Sequence, residues 1–346
     1  MSSNITYTTG NLLEADVDAI VNTVNTVGVM GKGIALQFKQ AFPENFAEYA
    51  SACKRGEVHP GAMFVTETGA LTGPKYLINF PTKRDWRAKA RIEDIKSGLA
   101  ALIRKISELN IRSIAVPPLG CGNGGLDWDD VRPLIEAEFA TVPDVRVLAY
   151  TPNGAPDPSN MRYGTSRPKM TLLRAAVLCL IDRYAVPGYR VTMLEIQKLV
   201  YFLKAAGEPI ELKFEKAQFG PYAETLHHVL QRMESHFVSG YGDRSRGIKL
   251  QVLPEALAEA EEFLERHKEV WPHIDKVYKL IDGFETPYGL ELLATIHFLA
   301  NESDAVKYNP GAAVKGVQDW SPRKKETFSP EHIGIAWESL HEGGWI

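Results

Sequence analysis

The sequence predicts an α/β domain, a layered mixed sheet flanked by helices, followed by a mainly α-helical domain. Three observations lead there. Strand-like and helix-like segments alternate over residues 1–150, the pattern of an α/β layered unit. The stretch "TPNGAPDPSNMRYGTSRPKM" then brings four prolines and two glycines and almost no apolar run, which reads as an inter-domain linker. Beyond it the strand signal fades. The expected boundaries are 1–152, a linker over 153–169, and 170–346. A chain of 346 residues exceeds what most single cores hold, in keeping with two domains.

Each element has its own signal. "NITYT" and "VDAIVNTV" read as strands, and "KGIALQFKQAF" and "ENFAEYASACKR" as helices. "AMFVTET" and "KYLINFP" are strand-like again. "IEDIKSGLAALIRKISELN" is a long helix with apolar residues near i, i+3, i+4 and i+7. "RSIAVPPLG" reads as a buried strand, "WDDVRPLIEAEF" as a helix and "VRVLAYTP" as the last strand. In sheets of this kind ligands bind beyond the carboxyl ends of the strands. In the second half, "TLLRAAVLCLIDRYA", "TMLEIQKLVYFLKAAG", "YAETLHHVLQRMESHF", "PEALAEAEEFLERHKEVWPHIDKVYKLIDGF" and "TPYGLELLATIHFLAN" are all helix-like. In the second of these Ile196, Leu199, Val200 and Leu203 share a face. A small hairpin is expected around "HFVSGYGDRSRGIKLQVLP".

Composition narrows the function classes. The apolar fraction of 45% and charged fraction of 24% are those of ordinary globular protein. No apolar run is long enough for a membrane span, and "MSSNITYTTG" lacks the features of a secretory signal. Three widely spaced cysteines, Cys53, Cys121 and Cys179, suggest neither a disulfide framework nor a metal site. A cytoplasmic protein without metal or cofactor is expected. The net charge of −4 gives no general grip on duplex DNA, so any nucleic-acid contact must be local. The best local cluster is "KRDWRAKAR", Lys83 to Arg91, which also reads as a solvated face.

Two glycine-rich loops carry the chemistry. In "NTVNTVGVMGKGIALQFKQAFP", Gly28, Gly31 and Gly33 precede a helix. Free N–H groups and the positive end of the helix dipole then face the loop, an anion site of the kind that takes phosphate, and Lys32 adds a charge. The spacing is neither that of a P-loop nor G-x-G-x-x-G. In "PPLGCGNGGLDW", Gly120, Gly122, Gly124 and Gly125 allow a second backbone cradle at another strand-to-helix junction. Two such cradles suit a diphosphate held from both sides. Asn22 and Asn25 close the "VDAIV" strand, and their amides suit sugar hydroxyls without adding charge beside phosphate.

On "GNLLEADVDAIVNTVNTVGVMGKGIA" and "PPLGCGNGGLDW", residues 1–150 resemble a macrodomain, the ADP-ribose-binding fold. The resemblance implies that Asn11 and Leu12 of "GNLL" meet the adenosine, although many members have aspartate where this chain has Asn11. It sets Asn22 and Asn25 on the distal-ribose side and the two loops around the diphosphate and that ribose. The implied ligand contacts are Asn11, Leu12, Asn22, Thr23, Asn25, Gly28, Met30, Gly31, Lys32 and Gly33, with Pro118, Leu119, Gly120, Cys121, Gly122, Asn123, Gly124, Gly125 and Leu126. Tyr150 ends the last strand, where it can stack on adenine or pack in the core.

Lys83 in "NFPTKRDWR" follows an apolar strand at the edge where such a ligand lies. An amine against an anomeric carbon attacks it once deprotonated, giving an intermediate that opens to an imine. Burial and neighbouring cations both lower its pKa. "NTVNTVGVMGKGIAL" together with "NFPTKRDWR" resembles the terminal ADP-ribose glycohydrolases and, more closely, the DarG antitoxins, which reverse DNA ADP-ribosylation by the toxin DarT. The resemblance implies a glycohydrolase with Lys83 catalytic, as nucleophile or electrostatic stabiliser, acting on ADP-ribosylated DNA (thymine being the family's base) and releasing ADP-ribose. A reader that binds ADP-ribose without chemistry and a hydrolase of modified protein are the alternatives. One departure stands out: related glycohydrolases place an acidic residue where this chain has Gly124. Asp127 reads as a helix cap, and Cys121 as a small packed residue. His59, the single histidine of the first domain, has no evident catalytic partner.

In the helical half, "EIQKLVYFLKAAG" and "FEKAQFGPYAETLHHVL" resemble SocA-like (Panacea) antitoxin domains, through Lys198-Leu199-Val200-Tyr201 and Phe219-Gly220-Pro221-Tyr222. This shorter match implies a module that binds a DarT-like toxin.

Overall fold

A computed structural model describes residues 4–70, 72–152, 154, 156–186, 188–244 and 247–346. The chain divides into two compact units, Met1–Ser166 with Gly242–Arg246, and Arg167–Tyr241 with Gly247–Ile346.

The first unit is an α/β fold built on strands β1 (Ile5–Thr8), β2 (Ala19–Val24), β3 (Phe64–Glu67), β4 (Tyr76–Pro81), β5 (Ser113–Val116) and β6 (Arg146–Tyr150). Helices α1 (Gly33–Ala41) and α2 (Pro43–Lys54) follow β2, α3 (Ile92–Glu108) follows β4, and α4 (Trp128–Phe139) follows β5. The strands pair in the order β1-β6-β5-β2-β4-β3. All neighbours are parallel except β3 on β4, so the sheet is mixed, as the alternating pattern predicts.

The strands' period of two decides which layer each side chain joins. Val21, Ile78, Phe80, Ile114 and Val116 face one layer, packed with Ile95, Leu99 and Leu102 of α3 and Val131 and Ile135 of α4. Their alternates Ile20, Leu77 and Ala115 face the other, with Leu12, Leu13 and Phe38. All are buried on both faces, which is why these strands read as continuous apolar runs. Helix α3 approaches β4 closely: a Cβ added at Gly98 would stand 2.2 Å from the Phe80 ring. A 3-10 turn at Leu12–Glu14 and another at Pro158–Asn160 were not legible as regular elements.

The second unit is helix-rich, as expected. It contains α5 (Leu172–Tyr184), β7 (Val191–Thr192), α6 (Met193–Ala205), β8 (Glu215–Ala217), β9 (Gly220–Tyr222), α7 (Thr225–Met233), β10 (Val238–Ser239) and β11 (Lys249–Val252). After them come α8 (Pro254–Glu265), α9 (Trp271–Ile281), α10 (Pro287–Glu302), α11 (Asp304–Tyr308), α12 (Pro310–Trp320), α13 (Pro322–Thr327) and α14 (Pro330–Glu342). The segment read as one helix from Pro254 to Phe284 is two. His267 leaves helical geometry, with φ −132°, and Pro272 sits in the first turn of α9, where its missing N–H is harmless. The expected hairpin is present, β10 pairing antiparallel with β11.

"KLVY" and "FGPY" meet in this unit. Helix α6 starts with a capping box between Thr192 and Glu195. One turn on, the Gln197 amide donates to the Ala223 carbonyl and accepts from its N–H, both at 2.9 Å. The Lys198 amine donates to the Pro221 carbonyl at 2.7 Å. "FGPY" is thus not a bare turn but the bend and second strand of the β8–β9 hairpin, clamped from α6. No helix among the described residues is long and apolar enough to cross a membrane.

Candidate active site

Strands β5, β2 and β4 are consecutive in the sheet and parallel, so the chain leaves all three at the same end. The loop after β2 carries the first glycine cluster, the loop after β5 the second, and the loop after β4 carries Lys83. Sheet order alone therefore sets the three sequence motifs side by side, at the carboxyl ends where α/β folds bind ligands.

Hydrogen bonds join the loops. The Lys83 amine donates to the Asn123 carbonyl of the second glycine loop. The Asn123 side-chain amide nitrogen stands 2.9 Å from where a Cβ on Gly33 would be, so it lies against the first loop. Gly33 has φ +63°, a region that favours glycine. Thr26 of the first loop donates to the Arg84 carbonyl at 2.6 Å. Lys83, Asn123 and Gly33 are thus one cluster.

The first loop is shaped by Asn25. Its carboxamide oxygen accepts from the N–H groups of Val27 and Val29 at 3.0 and 3.2 Å, and its nitrogen donates to the Val29 carbonyl at 2.5 Å. The Tyr49 hydroxyl holds the Asn25 carbonyl at 2.7 Å. Asn25 therefore fixes the loop, its oxygen taken up by backbone N–H groups and one of its two amide N–H donors by the Val29 carbonyl. Asn22 differs. It is fully buried, its nitrogen donates to Asn79 Oδ1 at 3.0 Å, and its oxygen has no partner among the described residues. A buried acceptor left unpaired costs about 1–3 kcal/mol. Thr23 is half-buried beside it, Gly28 turns with φ +79°, and Gly31 and Lys32 are exposed. Met30 instead turns inward, packing with Val24, Tyr49 and Ala52. The Gly33 N–H donates to the Asp243 carbonyl at 2.8 Å within the same unit. One donor of the α1 N-terminus is therefore already engaged.

The second loop folds tightly on itself. The Leu126 N–H reaches the Gly120 carbonyl at 3.1 Å, and the Ala90 N–H reaches the Gly124 carbonyl at 3.0 Å. A Cβ at Gly124 would lie 2.2 Å from the Gly120 carbonyl oxygen. The position that holds an acidic residue in related glycohydrolases has no room here for any side chain. Gly122, Asn123 and Gly125 are exposed, Pro118, Cys121 and Leu126 half-buried, and Leu119, Gly120 and Gly124 buried. Burial, followed by the charge of Asp127, pushes the Cys121 thiol up to about 11, so it stays protonated at neutral pH. Asp127 caps α4, accepting from the Asp129 N–H at 2.9 Å.

Lys83 is half-buried. Burial holds its pKa below the usual lysine value, because the charged form loses solvation there. Arg84 pairs with the buried Asp94 at 3.1 Å. Asp85 accepts from the Arg87 N–H at 2.8 Å, closing a turn.

The segment around Asn11, expected from the sequence to meet adenosine, is built differently from the two glycine loops. Asn11 caps the 3-10 turn at Leu12–Glu14 through Leu13 N–H at 3.1 Å, and its nitrogen donates to the Asn160 carbonyl at 2.7 Å. Both its functions are engaged. Leu12 is buried in the core, and Tyr150 is half-buried with its hydroxyl 3.5 Å from the Asn11 carbonyl.

Sequence reading missed the polar chain behind Asn22. Asn79 donates to Asn45 at 2.7 Å, which accepts from Thr66 at 2.9 Å. The signal was there: an asparagine in the middle of "YLINFP", on a strand otherwise apolar.

A sequence profile of the Macro domain matches residues 21–135. The chain is 45% identical over 338 residues to the DNA ADP-ribosyl glycohydrolase of Thermus aquaticus, covering 98% of this chain and 93% of that one. To the DNA ADP-ribosyl glycohydrolase of Mycobacterium tuberculosis it is 44% identical over 352 residues, covering 97% and 99%. Among solved structures, the macrodomain of Mycobacterium tuberculosis DarG matches at 60% identity over 43% of this chain and 98% of that chain, with a TM-score of 0.43. Identity of this level along nearly the whole of both relatives fixes the assignment. The chain belongs to the DNA ADP-ribosyl glycohydrolase (DarG) family.

Proposed function

We propose that this chain removes ADP-ribose from DNA bases, thymine in particular, and so reverses the modification made by a DarT-like toxin in the cytoplasm. The observation that carries the reading is the convergence of Lys83, Asn123 and Gly33. That convergence supports it: an amine of lowered pKa touches the second glycine loop through Asn123, whose side chain lies against the first, and such loops are of the kind that hold a diphosphate.

The chemistry follows from that amine. Neutral Lys83 Nζ attacks the anomeric carbon of the distal ribose. The bond from that carbon to the base breaks with its electron pair on the base, and the proton lost by Nζ passes to the departing base directly or through water. The sugar ring opens to an imine on Lys83, water hydrolyses it, and ADP-ribose leaves with the amine restored. Gly124 admits no carboxylate and Asp127 is occupied as a cap, so the reading assigns no separate loop acid. Asn22, buried beneath the first loop, and Asn25, which shapes that loop, orient the ribose side of the site.

We assign the helical unit to direct binding of the toxin, with the α6 clamp on the β8–β9 hairpin presenting "FGPY". Two assays test the whole. ADP-ribosylated oligonucleotide and ADP-ribosylated protein are each incubated with the chain and with Lys83→Ala, and released ADP-ribose is measured. Release from the oligonucleotide by the native chain alone is expected. Release only from the protein would make the DNA assignment wrong, and equal release by Lys83→Ala would remove the amine from the mechanism. Lys83→Ala should still co-elute with the toxin on size exclusion; separate peaks would refute the binding role.

A further inference from the structure

Trp86 lies three residues beyond Lys83 and is 50% exposed, an uncommon state for so large an apolar ring. It is not loosely placed. Asp85 accepts from the Arg87 N–H, the Ala88 N–H reaches the Asp85 carbonyl at 3.2 Å, and the Arg87 guanidinium stands 4.5 Å from the indole centroid. The turn and the stacked guanidinium hold the ring outward. Val27 and Val29 of the first glycine loop are also exposed, at 49% and 39%. That loop is tied to this one through Thr26 and Arg84. Of the four large apolar side chains exposed in the first unit among the described residues, three are therefore Val27, Val29 and Trp86, with Tyr7 the fourth. Arg87, Lys89 and Arg91 are exposed and have no ion-pair partner among the described residues.

An aromatic ring backed on one side by Arg87, with Lys89 and Arg91 exposed beside it, is the physical recipe for single-stranded nucleic acid. The overall charge of −4 supplies no long-range grip. With so few cations to meet phosphates, stacking must carry much of the affinity, and only an unpaired strand offers base faces. A modified base can reach Lys83 only when it is out of a duplex stack. We infer that Trp86 stacks on a base neighbouring the ADP-ribosylated nucleotide of single-stranded DNA, with Arg87, Lys89 and Arg91 on the adjoining phosphates. The inference rests on the DNA-directed reading above, and deepens it by naming how the strand is held.

The test uses the full chain and a fluorescent, unmodified single-stranded oligothymidine, so it does not depend on turnover. Trp86→Ala should weaken binding about tenfold, within the range of one lost stack, and Trp86→Phe should recover most of it. Lys89→Ala and Arg91→Ala should each reduce the salt slope of log K by about 0.7. On ADP-ribosylated oligonucleotide, Trp86→Ala should raise KM with little change in kcat, while the affinity for free ADP-ribose stays within twofold. Equal oligothymidine affinity for the native chain and Trp86→Ala, or no measurable binding by either, overturns the inference. So does a matching loss of ADP-ribose affinity, which would mark Trp86 as merely structural. Absence of ADP-ribose release by the native chain sinks the proposed activity instead, and leaves the binding result to stand or fall separately.

Discussion

Gly124→Ala adds one methyl group at the tightest point of the second glycine loop. Its carbon would stand 2.2 Å from the Gly120 carbonyl oxygen and 2.9 Å from the Ala90 Cβ. An ordinary carbon–oxygen contact is about 3.3 Å, so the backbone must give by about 1 Å. The obstacle is main chain rather than the end of a flexible side chain, which puts the penalty at the upper end of overpacking, about 3 kcal/mol. If the loop yields as a body, Asn123 leaves the Lys83 amine and ADP-ribose affinity falls about 100-fold. If it holds, the strain appears as a fall in Tm of about 6–12 °C. Gly122→Ala is the internal control, since a Cβ there meets nothing within 4 Å. Calorimetric titration with ADP-ribose and thermal unfolding of the full chain read both variants. Gly124→Asp should fail in the same way and not gain a general acid. Should Gly124→Ala bind and melt like Gly122→Ala, the argument that the loop excludes a side chain is refuted.

Two further expectations concern stability. Gly98→Ala would ordinarily strengthen a helix by about 1 kcal/mol, yet here the methyl would fall 2.2 Å from the Phe80 ring. Denaturant unfolding should show a net loss of about 1–3 kcal/mol, and a gain would contradict the packing described between α3 and β4. In the helical unit, Lys198 is buried. Burial, then the charge of Lys324, holds its pKa down to about 7 against the opposing pull of Glu291. The unfolded chain keeps that proton to about pH 10.4. Between about pH 7 and 10 the unfolded state therefore binds more protons, and stability rises with pH. Unfolding in urea at pH 7, 8 and 9 should show this rise in the native chain and a flatter profile in Lys198→Met. Identical profiles would place the titration elsewhere.

Much of this was legible because strands buried on both faces write themselves as apolar runs, "AIVNTV", "YLINFP" and "SIAV", and glycine clusters punctuate their ends. Which strands are neighbours was not. The order β5-β2-β4 is a tertiary fact, and it alone brings Lys83 beside two loops distant from it in sequence. Side-chain allegiance was the other blind spot. Asn22 and Asn25 look alike in "NTVN", but one keeps a buried oxygen unpaired while the oxygen of the other shapes its loop. Met30 sits among the glycines and belongs to the core. The break at His267 was hidden because the apolar spacing on either side stays in phase with a helix, and only Pro272 marks the new start.

The covalent route requires one ADP-ribose held by the two glycine loops with its anomeric carbon on Lys83. Turnover of ADP-ribosylated single-stranded oligonucleotide in the presence of borohydride, followed by peptide mass spectrometry, decides whether it is so. Reduction of the imine should leave ADP-ribose covalently bound at Lys83 and halt release. Undiminished release with Lys83 unmodified would contradict the covalent route, and the same release from Lys83→Ala would contradict any role for the amine.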